Sequence, residues 1–260
     1  MLGERGGYDA KYMPLLRAVE DRHFWFRARN AIIADLIRQI EPALAPGYRV
    51  LEIGCGTGNT LRVLDTVCNR GLVVGMDFLR EGLLLARDRV NCPVVQGDVR
   101  AAPFLDDVRF EIVGMFDVLE HIDDDCATLR ALRSRMTADG VLFLTVPAGP
   151  ALWSAYDVAA GHCRRYRARD LTAKLMDAGF RVEYLSPMMS VLYPLAWLSR
   201  RVSGRLRRTE NEADSVTEEL RVVPILNQVL FGMLMAESRM VAGRRVLPFG
   251  TSLIAIARAH

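Results

Sequence analysis

The chain has 260 residues, 51% of them hydrophobic and 25% charged, with a formal net charge of +3. That length and composition describe one globular domain with an insertion, able to bury about three quarters of its surface without covalent staples. No long Lys/Arg block marks a nucleic-acid partner, although RRVSGRLRR (200–208) is locally basic, and five cysteines without a CxxC pair signal neither a zinc ribbon nor a disulfide framework, which fits a reducing cytoplasm.

The opening stretch MLGERGGYDAKYMPLL carries charges where a signal peptide holds its apolar core, and no run reaches the roughly 18 apolar residues of a spanning helix. A cytoplasmic chain with at most surface contact to a membrane is expected. A helical prefix is predicted over 12–40. Short β-branched runs follow at 49–53 (RVLEI), 72–76 (LVVGM), 93–97 (PVVQG), 110–116 (FEIVGMF) and 140–146 (GVLFLTV), with helices predicted between them over 60–68, 80–90 and 124–136. Such alternation implies right-handed crossovers and a mostly parallel α/β sandwich. After Pro147, Gly149 and Pro150 come a helix over 170–178, a strand FRVEYL, two apolar helical segments around a polar connector, and a last strand SLIAIAR. The expected division is a helical prefix (1–46), an α/β core (47–186), a helical insertion (187–249) and a closing strand (250–260).

The stretch VLEIGCGTGNT (50–60) closes an apolar run with an acid and then places Gly54, Gly56 and Gly58 at every second position. Glycines without Cβ atoms let the backbone turn tightly and approach a ligand, and the following helix offers unpaired N–H groups. Asn59 holds the place of the third glycine of GxGxxG, which counts against a nicotinamide or flavin reading. Asp77 follows the second strand, where a carboxylate can accept both hydroxyls of a ribose, and Asp98 follows the third.

VLEIGCGTG, GMDF, QGDV and FDVLEH, in this order, resemble the class I S-adenosylmethionine-dependent methyltransferases over residues 48–147. EDRHFWFRARN and GHCRRYRARDL…LMDAGF are similar to a bacterial small-molecule branch of that superfamily. The resemblance implies a Rossmann-like, seven-stranded α/β sandwich with an antiparallel last strand, here with N-terminal helices and a helical insertion before that strand. It also implies S-adenosyl-L-methionine as cofactor. By the same resemblance Glu52 supports the loop and the cationic methionyl end, Gly54, Cys55, Gly56 and Gly58 admit the homocysteine and ribose, Asp77 binds the ribose, Phe78 lies against adenine, Asp98 and the Val99 N–H read the adenine edge, and Phe116 closes the cofactor-binding set. In the prefix, Phe24 and Phe26 suit packing, and Arg29 is a candidate partner for the cofactor's carboxylate.

A hydroxyl acceptor needs a base, and histidine best matches neutral pH. Among four histidines, His162 is the first candidate for base or acceptor-orienting group and His121 the second. Trp153, Tyr156, Arg165 and Tyr166 lie in the same overhanging segment and are the candidate substrate-binding residues. No metal is assigned, although Asp117, Glu120 and His121 at i, i+3 and i+4 fall on one side of a helical turn that His162 could complete as a divalent site.

In the insertion, SPMMSVLYPLAWLSRR and VVPILNQVLFGMLM suit a greasy acceptor pocket, a homodimer interface or peripheral membrane contact through 187–208. Arg200, Arg201, Arg205, Arg207 and Arg208 would meet phosphates or keep a linker solvated. The expected activity is methyl transfer to a small-molecule, glycan or lipid-linked acceptor, oxygen favoured, with no nucleic-acid partner. The alternatives are a non-catalytic cofactor-binding module and, less favoured, a nicotinamide oxidoreductase, for which a Tyr-x-x-x-Lys pattern is missing.

Overall fold

Strand β1 (Arg49–Ile53) is flanked by parallel neighbours on both sides, β2 (Leu72–Asp77) and β4 (Phe110–Phe116), so its side chains are buried on both faces and its sequence shows no alternation. The computed structural model describes residues 10–198, 216–217 and 220–260. Adding β3 (Val94–Gln96), β5 (Met136–Pro147), β6 (Phe180–Met188) and β7 (Ser252–Ala259) gives one seven-stranded sheet in the order β3-β2-β1-β4-β5-β7-β6. Only β7 runs antiparallel to its neighbours β5 and β6. The chain leaves β1 for β2 and β3 on one side, then returns to β4 on the other. This reversal opens a crevice at the carboxyl ends of β1 and β4, where open α/β sheets bind their ligands.

Helices cover both faces. One buried cluster joins the sheet to α2 (Phe24–Arg38), through Ile32, Ile33, Leu36 and Ile37, and to α3 (Asn59–Val67) through Leu61 and Leu64. The other joins it to α5 (Asp125–Ser134) and α7 (Ala168–Asp177), through Leu129, Leu132, Leu171 and Leu175. Helix α4 (Arg80–Arg87) connects β2 to β3, and a short α6 (Ala155–Ala159) follows β5.

The prefix departs from one continuous helix. It consists of α1 (Met13–Val19) and α2, separated by a break in which His23 caps α2 by accepting from the Trp25 N–H at 3.3 Å. The cause is tertiary: the carboxylate of Glu20 pairs with Arg89 and accepts from the Thr57 hydroxyl, and Asp21 pairs with Arg62 and Arg89, both at 2.9 Å. These contacts fasten the prefix over the glycine loop.

The second apolar segment of the insertion forms a single helix, α8 (Pro224–Ala242), which packs on α2. Asn227 joins the two by accepting from the Phe24 N–H at 2.8 Å and donating to the Arg22 carbonyl at 2.9 Å. The polar connector's central part, with Arg200, Arg201, Arg205, Arg207 and Arg208, lies outside the described residues. Among the described residues no helix is long and apolar enough to cross a membrane.

Candidate active site

The loop after β1 adopts a conformation that its glycines make accessible. Gly54, Gly56 and Gly58 have φ values of +70°, +50° and +80°, a region that L side chains rarely enter. A Cβ at Gly54 would stand 2.2 Å from a Val118 methyl, so this glycine lets the loop close against the chain leaving β4. A Cβ at Gly56 would meet no atom of the described residues within 4 Å, so its backbone borders open space among them. That space is a cavity of about 1270 Å³ at the crevice. Ligand pockets run to about 300–1,000 Å³, so it has room for more than one small molecule.

The strand-tip acids line this cavity, Asp77 held by backbone and Asp98 by charge. Asp77 accepts from the Gly56 and Leu79 N–H groups, both at 2.7 Å. Burial raises its carboxyl, and those two N–H groups pull it back only in part. Asp98 pairs with Arg100 at 2.7 Å, and that guanidinium holds its carboxyl below the usual range. Glu52 is buried, its Oε2 has no hydrogen-bond partner among the described residues, and burial pushes its pKa up to about 8. An orphaned buried carboxylate oxygen beside a bare glycine turn fits a ligand that brings its own positive charge or donor.

Phe78 is 57% exposed at the cavity wall, free of the core and available for stacking. Val99 and Phe116 are packed into the core and also border the cavity. Cys55 contributes loop backbone, while its thiol is buried in the core beside Gly75 and is pushed up by that burial. Arg29 reaches the crevice but is already engaged: it lies 2.5 Å from Asp117 and donates to the Thr60 hydroxyl at 2.7 Å, with the Trp25 and Phe26 rings at its flanks and Nε unpartnered. The expected pairing of its guanidinium with a cofactor carboxylate therefore competes with Asp117.

Beyond the loop, two histidines meet. His162 Nδ1 lies 2.9 Å from the buried Asp157 carboxylate, and His121 Nδ1 lies 3.3 Å from the Gly161 carbonyl, with ring centroids 4.8 Å apart. Both partners accept, so both imidazoles donate from Nδ1. Burial, with the neighbouring His162, pushes His121 down to about 3, so it is neutral. Burial works to raise Asp157, but bonds from His162 and from Arg165 Nε at 2.7 Å outweigh it and hold the carboxylate ionised. Asp157 also accepts from the Ser154 N–H at 2.8 Å in a capping box of α6.

Tyr156 and Arg165 line the cavity, as expected, but two other candidates do not. Tyr166 is 2% exposed and donates to Asp125 at 2.9 Å, a core residue that ties the segment to α5. Trp153 is 40% exposed and outside the cavity wall. The expected helical turn at 117–121 is replaced by a left-handed Asp117 (φ +55°) and a 3-10 turn, Leu119–His121, which aims Asp117 at Arg29 and away from Glu120 and His121.

Sequence reasoning passed over Asp157, whose only local signal is the Ser154-x-x-Asp157 spacing of a capping box. Leu192 and Ala196, within the SPMMSVLYPLAWLSRR segment, form part of the cavity wall together with Leu220, which lies outside both apolar segments named from the sequence.

A family model described as a methyltransferase domain matches residues 25–185. The chain is 27% identical over 168 residues to a protein of Mycolicibacterium smegmatis named as a probable S-adenosylmethionine-dependent methyltransferase, a match covering 63% of this chain and 62% of that one. It is 30% identical over 171 residues to a ubiquinone biosynthesis O-methyltransferase of Xanthomonas axonopodis pv. citri, covering 58% and 69%. The chain thus spans about three fifths of the length of the mycobacterial-type relatives it matches. The fold is similar to that of Haemonchus contortus phosphoethanolamine N-methyltransferase 2, solved with S-adenosyl-L-methionine, at a TM-score of 0.56 and 16% identity, covering 86% of this chain and 51% of that one.

Proposed function

The chain belongs to the family of methyltransferase domains, and from that membership we propose that it transfers a methyl group from S-adenosyl-L-methionine to an oxygen of a small-molecule, glycan or lipid-linked acceptor. When bound, S-adenosylmethionine supplies an electrophilic methyl carbon on a sulfonium that is its own leaving group. The protein's residues are left to hold the donor, align the acceptor and exclude water.

Asp77, fixed by two backbone N–H groups, suits the ribose hydroxyls, and the exposed ring of Phe78 suits adenine. Asp98 and the Val99 N–H suit the adenine edge. Glu52, with one oxygen unpartnered, suits the positive methionyl end. At the acceptor end His162, oriented by Asp157, is the base or orienting group, with His121 beside it. Oxygen as acceptor atom is supported by His162 at the cavity wall, because an acceptor hydroxyl needs a base, and by the name of the Xanthomonas relative. A greasy acceptor is supported by Leu192, Ala196 and Leu220 in the cavity wall.

The observation that carries this reading is the orphaned Glu52 oxygen beside a bare glycine turn on the wall that also bears Asp77 and His162. Calorimetry with S-adenosylhomocysteine tests the donor half, with binding expected to the wild type. Methyl-labelled S-adenosylmethionine with pools of small-molecule and lipid acceptors tests transfer. A labelled product is expected; tight donor binding without label on any pool would favour a non-catalytic binding module.

A further inference from the structure

Beside the two clusters that cover the sheet, a third joins stretches far apart in the chain: Leu16 and Val19 of α1, Leu220 of the insertion, and Tyr156 and Ala159 of α6. Among the described residues no strand contributes to it. Leu16, Leu220 and Tyr156 also line the cavity, so the cluster is a wall of the site and not a part of the sheet's core.

The end of α1 is held by charge. Glu20, the residue that follows it, is buried and pairs with Arg89, whose side chain is buried as well. Arg89 Nη1 also donates to the Thr57 carbonyl at 3.3 Å, and the Thr57 hydroxyl donates to Glu20. Thr57 lines the cavity between Gly56 and Gly58, both left-handed, so Glu20 and Arg89 fix a residue whose neighbours restrain it little. At the other end of the cavity α6 carries Asp157, the partner of His162 at 2.9 Å.

We propose that α1 couples the two ends of the cavity. The glycine loop sets Glu20 and Arg89, α1 transmits that setting through the shared apolar cluster, and α6 responds by placing Asp157 and with it His162. Helix α1 has seven residues and α6 five, whereas isolated helices shorter than about 12–15 residues are marginal in water. Each therefore forms only where its neighbours support it. A buried ion pair gives α1 a sharp dependence of this kind, because removing one member leaves the other's charge uncompensated. Leu16, Glu20 and Arg89 are thus positioning residues that act on the acceptor end through α6. The coupling rests on the methyl-transfer reading for its purpose, which is to complete the acceptor end once the donor is seated.

The test is hydrogen–deuterium exchange by mass spectrometry on the full-length chain, run beside calorimetry with S-adenosylhomocysteine. The Asp157, Val158, Ala160, Gly161 and His162 N–H groups are bonded to backbone carbonyls, so their exchange reports the opening of α6 and the turn after it. In ligand-free protein Arg89→Met is expected to speed exchange by about threefold or more over 13–19 and over 157–162 alike, with β1 and β4 unchanged. Arg89→Lys should restore part of the protection in both stretches. S-adenosylhomocysteine should slow exchange over both in the wild type, and over 13–19 alone in Leu16→Ala. Should Arg89→Met not fold, ligand-free Leu16→Ala carries the same expectation for 157–162. A folded Arg89→Met that leaves 157–162 at the wild-type rate overturns the coupling, whether or not 13–19 loosens. Protection of 157–162 by S-adenosylhomocysteine that survives in Leu16→Ala overturns it too. Wild-type protein that does not bind S-adenosylhomocysteine removes the transfer reading, and the ligand-free comparison still decides the coupling.

Discussion

The Arg29 guanidinium lies 2.5 Å from the Asp117 carboxylate, joining the second helix of the prefix to the residue that leaves the fourth strand. Arg29 is buried, so removing it strips a largely covered carboxylate of its counter-charge. Arg29→Met is expected to cost about 1–3 kcal/mol of unfolding free energy in urea. Arg29→Lys should recover only part of this, because one ammonium cannot reproduce the fork that meets both Asp117 and Thr60. A Met variant as stable as the wild type would show the pair to be energetically neutral.

Asp77 holds the glycine loop as well as facing the cavity. Asp77→Ala removes the acceptor of the Gly56 and Leu79 N–H groups and, with it, the group proposed to hold the ribose. S-adenosylhomocysteine binding should weaken on the order of tenfold to a hundredfold by calorimetry, the equivalent of one or two charged hydrogen bonds. Unchanged affinity would place the ribose elsewhere.

Gly54 is constrained twice, by φ of +70° and by Val118. Gly54→Ala should destabilise by roughly 1–3 kcal/mol from backbone strain, with the steric clash in addition. Combining it with Val118→Ala relieves the clash and leaves the strain, so the double variant should unfold at a higher temperature than Gly54→Ala and at a lower one than Val118→Ala. Additive losses would remove Val118 from the account.

Glu52 makes stability depend on pH with a defined sign. Its folded pKa of about 8 exceeds the ordinary 4.5, chiefly through burial, so between those values the folded state holds a proton that the unfolded state has lost. This contribution is complete below about pH 4.5 and is lost as pH rises to about 8, by at most about 1.4 kcal/mol per pH unit. Urea midpoints measured across that window should fall less steeply in Glu52→Gln than in the wild type. Parallel slopes would mean that Glu52 titrates normally.

The sheet and the glycine turn were legible because their signals are local. VLEI, LVVG and FEIVGMF are apolar on both faces, and Gly54, Gly56 and Gly58 punctuate the turn at fixed offsets. Asp77 and Asp98 followed once the strand ends were known. What the sequence concealed depends on partners distant in the chain. The prefix breaks between its helices because Glu20 and Asp21 are drawn to Arg89, nearly 70 residues on. Tyr166 and Tyr156 read alike in a segment without periodicity, and only the fold sends one to Asp125 and the other to the cavity. The left-handed Asp117 overrode a helical spacing that suggested four converging ligands.

The position of β7 also bears on how the chain is made. Among the described residues strand β6 pairs with β7 alone, and β7 separates it from β5, so the facing edges of β5 and β6 stay unpaired until residues 252–259 have emerged from the ribosome. While residues 189–251 are being translated, the edges of β5 and β6 stay open to wrong pairing. Assembly of this half of the sheet is therefore a late, non-local event, and it should be the slow step of folding and the stage most prone to aggregation.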